Sequence, residues 1–464
     1  MAVEAAPMKG AAADGGALAA TTSGARAWAV FLLLLIYVFN FIDRSIIGTL
    51  GQAIKEDLKI TDLQLGMLGG LVFALFYTVL GLPIARLAER NNRVSIVAVA
   101  ALFWSLMTTL CGFATSYTHL LLCRLGVGVG EAGYVPAGQS LITDYFPPQK
   151  RSTAVALFNL GIPLGMLFGA LAAGWIAKTW GWRAAFLIVG APGMILGLLI
   201  KLTVKEPPRG QYDGGSSEEA PPLSAVIKRL TSKKSFFHMT MGAGAASFAG
   251  YSMMQFTHPF LVRVFHLDYA LAAVVAGLIT GGSTAVSMAA GGFLPDLFGK
   301  KDRRFYAWIP AAGVFLTCPL MVAGFLSPTW QVSAALLLAA GMFQFLFMPP
   351  TYACCHNMVE PRMRASTAAI VVLSMNIIGL MCGPTFTGFA SDHFAAQTFN
   401  MGDYAALCPG GKALPGAAAA VDGACKLAAA SGLRTALLIA SLGFIWSSLH
   451  YVLAARTLRE DVIY

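Results

Sequence analysis

From Trp28 to the C-terminus the chain is a succession of apolar runs, many of 18 residues or more, separated by short polar turns. About 20 predominantly apolar residues in a helix cross the hydrocarbon core of a bilayer, so this pattern predicts a polytopic membrane protein. Composition agrees: 57% of the 464 residues are hydrophobic and only 12% are charged, against about 25% charged in ordinary soluble domains. A net charge of +10 does not point to nucleic acid, because the basic residues fall between apolar segments on alternate sides. Residues 1–27, rich in Ala, Gly and Thr, read as a disordered cytoplasmic tail. They do not read as a signal peptide, since no compact apolar core with a cleavage site precedes Trp28.

The expected fold is an all-α membrane protein with twelve transmembrane helices in two pseudo-symmetric six-helix bundles. The spans run roughly over 28–50, 62–84, 94–114, 119–145, 152–178, 182–203, 236–263, 268–294, 305–326, 329–355, 363–391 and 433–456. The first bundle occupies 28–204 and the second 236–456, with a cytoplasmic linker at 205–235 and a short tail at 457–464. The linker carries PPRG, DGGSSEE and an amphipathic stretch from Leu223 to Leu230 suited to the membrane surface. Most of the 32 Lys and Arg residues fall on one side of this map, which predicts that both termini are cytoplasmic.

Against that apolar background three ionisable residues sit at bilayer depth: Asp43 in the first span, and Arg124 and Glu131 in the fourth. An intramembrane charge costs a few kcal/mol even on the lenient insertion scale, so such residues face a bundle interior and mark substrate or ion pathways. Arg124 and Glu131 are seven residues apart, which places them on one helix face about 10 Å apart along the axis. The two halves also echo each other. AERNNR (Ala88–Arg93) follows the second span and GGFLPDLFGKKDRR (Gly291–Arg304) follows the eighth, while Arg151 and Arg364 open the fifth and eleventh. Repeated halves place a binding site at the pseudo-symmetry axis.

The two turns resemble the Gly-x-x-x-Asp-Arg-x-Gly-Arg loop signature of the major facilitator superfamily. The second copy keeps Gly292, Asp296, Gly299 and Lys300. The first has Ala85, Glu89 and Asn92 at the first Gly, Asp and second Gly positions, but keeps Arg90 and Arg93. RLGVGVG (Arg124–Gly130) and GWRAAF (Gly181–Phe186) are similar to further superfamily motifs. NFIDR (Asn40–Arg44) and GVGEAGYVPAGQSLITDYFP from Gly128 look like the spinster family of lipid transporters, and SMNIIGLMCGPTFTGFASD, ending at Asp392, is similar to its eleventh helix. The resemblance implies a proton-linked carrier of lysolipids or sphingosine-phosphate-like amphiphiles in a bacterial inner membrane, monomeric as most superfamily members are.

With the first span running outward and the fourth inward, Asp43 and Arg124 come to similar depth near the outer end, where they can pair. Glu131 lies nearer the midplane, where low dielectric disfavours its charge and suits it to carry a proton. Arg124 stays charged and can grip a phosphate or carboxylate with two N–H groups. The expected mechanism has Arg124 exchanging Asp43 or Glu131 for the substrate anion, with Glu131 and Asp43 as the proton-coupling pair. The alternative is a static pair holding helices one and four together. Arg44, next in sequence to Asp43, is expected to gate the outer end or to snorkel to the interface.

Glu89, Arg90, Arg93, Asp144, Arg151, Asp296, Lys300 and Arg364 are candidates for a latch between the halves on the cytoplasmic side, or for plain topology-setting charge. Tyr37, Asn40, Tyr134, Tyr251 and Gln255 are the candidate substrate contacts, with helix packing as the competing role for each. Cys408 and Cys425, in the outer loop expected before the twelfth span, are a candidate disulfide if that loop meets an oxidising compartment. No CxxC or Cys/His spacing suggests a metal, and no cofactor is expected. The proton is the coupling ion that Glu131 and the resemblance imply. Expected partners are membrane lipids and a small amphipathic substrate. A membrane enzyme lacks support: there is no nucleophile elbow or Walker loop, and Gly126, Gly128 and Gly130 lie within a helix. A passive lipid facilitator or scramblase, or a carrier of drugs, sugars or organic anions, remains as the alternative.

Overall fold

The computed structural model describes residues 23–210, 212 and 221–462, apart from the side chains of Leu82, Ala85, Glu89, Ser152, Pro361 and Ala365. The DGGSSEE stretch, most of the expected N-terminal tail and the side chain of Glu89 thus lie outside the described residues.

All regular structure among them is helical. α1 (Ser23–Leu58) starts inside the expected tail and runs well past residue 50. Its polar last turns need not end it, because Gln52 and Lys55 are buried against partners in neighbouring helices. α2 comprises Asp62–Gly69 and Leu71–Arg90 with an interruption at Gly70. Thr61 and Gln64 form a reciprocal capping box that starts it. α3 is Arg93–Cys111, capped by Asn92 accepting from the Ser95 N–H at 2.8 Å. α4 is Tyr117–Glu131 continued by Tyr134–Tyr145. α5 (148–180) and α6 (182–203) meet at Gly181, whose φ of +83° is a left-handed value that side chains rarely adopt.

After the linker helix (Leu223–Thr231) come α7 (Lys234–Phe265), α8 (Tyr269–Gly299) and α9 (Phe305–Leu326). α10 is Trp330–Asn357, α11 spans 364–398, and α12 is Ala419–Asp461. α8 and α11 each contain a widened π-helical turn, at Leu278–Gly282 and Met375–Met381, a feature frequent at functional sites. Nine stretches among the described residues are long and apolar enough to cross a membrane by length and composition. One of them, Pro148–Thr203, contains both α5 and α6. With α4 and α7, which carry Arg124, Glu131 and Arg263, the count is twelve.

The ends of α6 and α7 that meet the linker define one face of the bundle, and the opposite face is here called distal. The halves touch along α1 with α7, α2 with α11 and α5 with α8. The seam is tight toward the distal side. A Cβ added at Gly388 of α11 would lie 2.1 Å from the Asp62 carbonyl oxygen, and one at Gly174 of α5 would lie 2.1 Å from the Ala273 Cβ of α8. Around the outside, large apolar side chains such as Val99, Ile195, Phe293 and Leu449 are exposed, as a lipid-facing surface requires.

Candidate functional site

α1 is buried on almost every side through its middle, so consecutive residues that point 100° apart both face protein. That places Asp43 and Arg44 together in the interior. Asp43 Oδ1 accepts from Arg124 Nη1 at 3.1 Å, and its Oδ2 accepts from the Thr108 hydroxyl at 2.5 Å. Arg44 Nε donates to Glu131 Oε2 at 2.7 Å. Both pairs are out of solvent: side-chain exposure is 1% for Arg124, 3% for Asp43, 9% for Arg44 and 0% for Glu131.

Aromatic faces complete the setting. The Arg44 guanidinium lies 4.5 Å from the Tyr77 ring centre and 5.1 Å from that of Phe73, which Arg124 approaches from 5.4 Å. Phe73 thus stands beside two cations. Arg44 and Arg124 line one narrow cavity with Gly69, Phe73, Tyr251, Met254, Gln255, Leu380 and Pro384, drawn from both halves. Several buried polar atoms here have no hydrogen-bond partner among the described residues: Arg44 Nη2, Arg124 Nε, Glu131 Oε1 and both ends of the Asn40 amide. Buried polar groups are normally satisfied, so this cluster retains capacity to bind something else.

The arrangement differs from the expected one in three respects. Glu131 meets Arg44 rather than Arg124, because two helical turns separate Arg124 from Glu131 on α4. Arg44 does not snorkel to the interface; it is buried at the cavity and paired with Glu131. Because α1 continues to Leu58, Asp43 also lies near the middle of its helix rather than close to its end.

Of the candidate substrate contacts, Tyr251 and Gln255 line the cavity, and Gln255 also reaches the Leu65 carbonyl at 3.4 Å. Tyr134 is instead a packing residue. Its ring sits edge-on to Trp104 and its hydroxyl donates to the Leu33 carbonyl. Tyr37 stacks on Phe158 with ring centres 4.4 Å apart, in the same aromatic cluster.

A buried ion-pair cluster that joins the halves, here called the distal latch, lies on the distal side among residues that the sequence does not single out. Asp62, at the start of α2, accepts from both terminal nitrogens of Arg263 on α7, each at 2.7 Å. It also accepts from Lys55 Nζ at 2.8 Å and from the Ser391 hydroxyl of α11 at 2.7 Å. Asp392 accepts from the backbone N–H groups of Asp62 and Leu63 at 3.0 and 2.8 Å. These charges stand at helix ends, where sequence alone cannot separate a buried lock from ordinary flanking charge.

The expected cytoplasmic latch residues pair differently. Arg93 is buried and bonds Asp144 and Glu206, the latter at 2.6 Å, tying α3 and α4 to the linker within the first half. Arg151 donates to the Thr143 and Phe146 carbonyls at 2.9 and 3.1 Å. Arg364 donates to the His356 carbonyl at 3.3 Å. Asp296 accepts from the Tyr306 hydroxyl at 2.6 Å, and Arg90 and Lys300 are exposed. Arg459 bonds Asp302 in the loop after α8 and holds its carboxyl below the usual range. Cys408 and Cys425 are joined in a disulfide, but Cys425 lies on α12 and not in a loop, since that helix already begins at Ala419.

A bundle of two six-helix halves around a charged cavity at their seam is the architecture of a membrane carrier. The model of the Major Facilitator Superfamily matches residues 33–399. A solved bacterial homologue of the human lysosomal transporter spinster, in an inward-facing and unoccupied conformation, is 33% identical with a TM-score of 0.83, covering 95% of this chain and 99% of that one. An MFS-type efflux pump of Mycolicibacterium smegmatis is 32% identical over 375 residues, 79% of this chain and 85% of that protein. Protein spinster homolog 1 of Xenopus tropicalis is 27% identical over 387 residues, 78% of this chain and 72% of that protein. The chain belongs to the major facilitator superfamily of transporters and, within it, to the spinster family.

Proposed function

We propose that the chain is a proton-coupled secondary transporter that moves an amphipathic, lipid-like substrate with an anionic head group, such as a lysolipid or a sphingosine-phosphate-like molecule, by alternating access. One observation carries this reading: two arginines share a cavity wall with N–H groups to spare, and one of them is held by a glutamate whose second oxygen has no partner among the described residues. Guanidinium groups so placed suit a phosphate or carboxylate, while Phe73, Met254 and Leu380 offer apolar wall to a chain.

Protonating Glu131 removes the charge that restrains Arg44 and frees that cation for the substrate anion. Asp43, doubly held by Arg124 and Thr108, keeps the second cation aimed at the same cavity. Proton entry and substrate entry are thereby linked at one residue pair, and rocking of the halves exposes the cavity to each face in turn. The bias of basic residues makes the linker face cytoplasmic, with both termini inside and the protein acting as a monomer in a bacterial inner membrane. The distal latch then corresponds to closure on the outer side.

The test is uptake of a fluorescent lysolipid into proteoliposomes with and without an imposed pH gradient. Wild-type uptake is expected to accelerate with the gradient, and Glu131→Gln to lose that acceleration while still binding the lipid. Gradient-independent flux in the wild type would mark a passive facilitator or scramblase instead. Failure of lysolipid to enter, together with uptake of a small organic anion, would reassign the substrate class.

A further inference from the structure

The segment between α11 and α12 belongs to the second half but rests on the first. It is internally closed. Cys408 is bonded to Cys425, and Asp422 accepts from the Ala413 N–H at 3.2 Å and pairs with Lys426 at 2.6 Å. Phe399, Tyr404, Ala428 and the two half-cystines form a small apolar core of their own. This unit lays Gly410 flat on the last turn of α1. A Cβ there would stand 2.8 Å from the Lys55 carbonyl oxygen and 3.3 Å from the Lys59 Cα, and the φ of +70° disfavours any side chain.

Two residues on, Lys412 Nζ meets Glu56 Oε2 of α1 at 2.7 Å. From Glu56 the polar contacts continue to the latch. Gln52 Nε2 donates to Glu56 Oε1 at 2.7 Å, Gln52 Oε1 accepts from Arg263 Nε, and Arg263 grips Asp62.

We propose that the disulfide-closed unit at 403–428 is a strap that sets how firmly the distal side stays shut, acting through Lys412, Glu56 and Gln52 on the Arg263–Asp62 pair. The physical route is orientation. An amide that donates from one end and accepts at the other cannot turn without losing both bonds. Lys412 holds Glu56 against α1, Glu56 holds the Gln52 amide, and the amide presents its oxygen to Arg263. With the strap displaced, Glu56 keeps the Tyr269 hydroxyl but loses its cation, its hold on the Gln52 amide loosens, and the bond that amide makes to Arg263 across the seam weakens. The strap therefore favours the distally closed state over its opposite, and its strength is adjustable by one exposed charge.

Amide hydrogen exchange on the purified full chain in lipid nanodiscs tests this without any transported substrate, so the result stands apart from the roles given to Arg44 and Glu131. Lys412→Glu is expected to raise exchange over residues 50–58 by about two- to fivefold, the range for loss of a partly exposed ion pair. The same variant is expected to slow exchange at the linker-face ends of α5 and α8, because opening one side closes the other. Lys412→Arg is expected to behave as wild type, and Gly410→Val, which forces a side chain into the α1 backbone, to reproduce Lys412→Glu. A change confined to residues 403–418, a rise at α1 with no reciprocal slowing at the linker face, or equal effects of Lys412→Arg and Lys412→Glu would each overturn the proposal and leave the segment as a local staple.

Discussion

The distal latch and the central charge cluster are built from the same residue types and differ in how completely they are satisfied. Around Asp62 two cations and a hydroxyl supply four donors to one carboxylate, so each oxygen accepts twice. In the centre, two carboxylates and two arginines are joined by single contacts, and atoms on Arg44, Arg124 and Glu131 are left over. A saturated buried network is rigid and specifies one arrangement; an unsaturated one is a site waiting for a partner. The first therefore suits a lock between halves and the second a place where ions and substrate trade positions.

The difference can be attacked from either end. Asp62→Ala strands Arg263 and Lys55, both buried, without their shared anion, and removing one member of such a pair costs about 3–5 kcal/mol. A large fall in the thermal midpoint of the purified protein is expected, and a midpoint within error of wild type would show that the distal cluster locks nothing. Arg124→Ala should act the other way round. Substrate affinity is expected to fall about 10- to 100-fold, the loss of a charged hydrogen bond worth roughly 1.5–3 kcal/mol. Binding titrations should register that loss while the thermal midpoint moves less than for Asp62→Ala. If stability suffers more than affinity, the central pair is a structural tie. Tyr134→Phe is expected to do least. It deletes the bond to the Leu33 carbonyl, costs about 1 kcal/mol of stability and leaves lipid uptake unchanged, which separates the aromatic packing beside the cavity from the cavity wall itself.

Sequence made the apolar map legible because most spans carry their own evidence in their length and hydropathy. Asp43, Arg124 and Glu131 stood out because charge is rare at that depth. What stayed hidden depends on contacts between distant segments. The end of α1 was misplaced because Gln52, Lys55 and Glu56 look like a helix leaving the membrane, whereas in the fold they are occupied by Arg263, Asp62 and Lys412 from elsewhere in the chain. The burial of Arg44 is not legible in the sequence because helical geometry sends it away from Asp43, and only the enclosure of α1 by other helices turns that direction inward too. The pairing of Arg93 with Glu206 of the linker is equally invisible without the fold that brings them together.

Gly181 joins α5 to α6 with no intervening loop. α5 presses on the opposite half, while α6 shows Ile195, Leu198 and Leu202 to the surrounding lipid. Two rods welded at a single glycine have no slack between them. A tilt of the seam helix is therefore handed on through one residue to a helix on the lipid-facing flank of the same half.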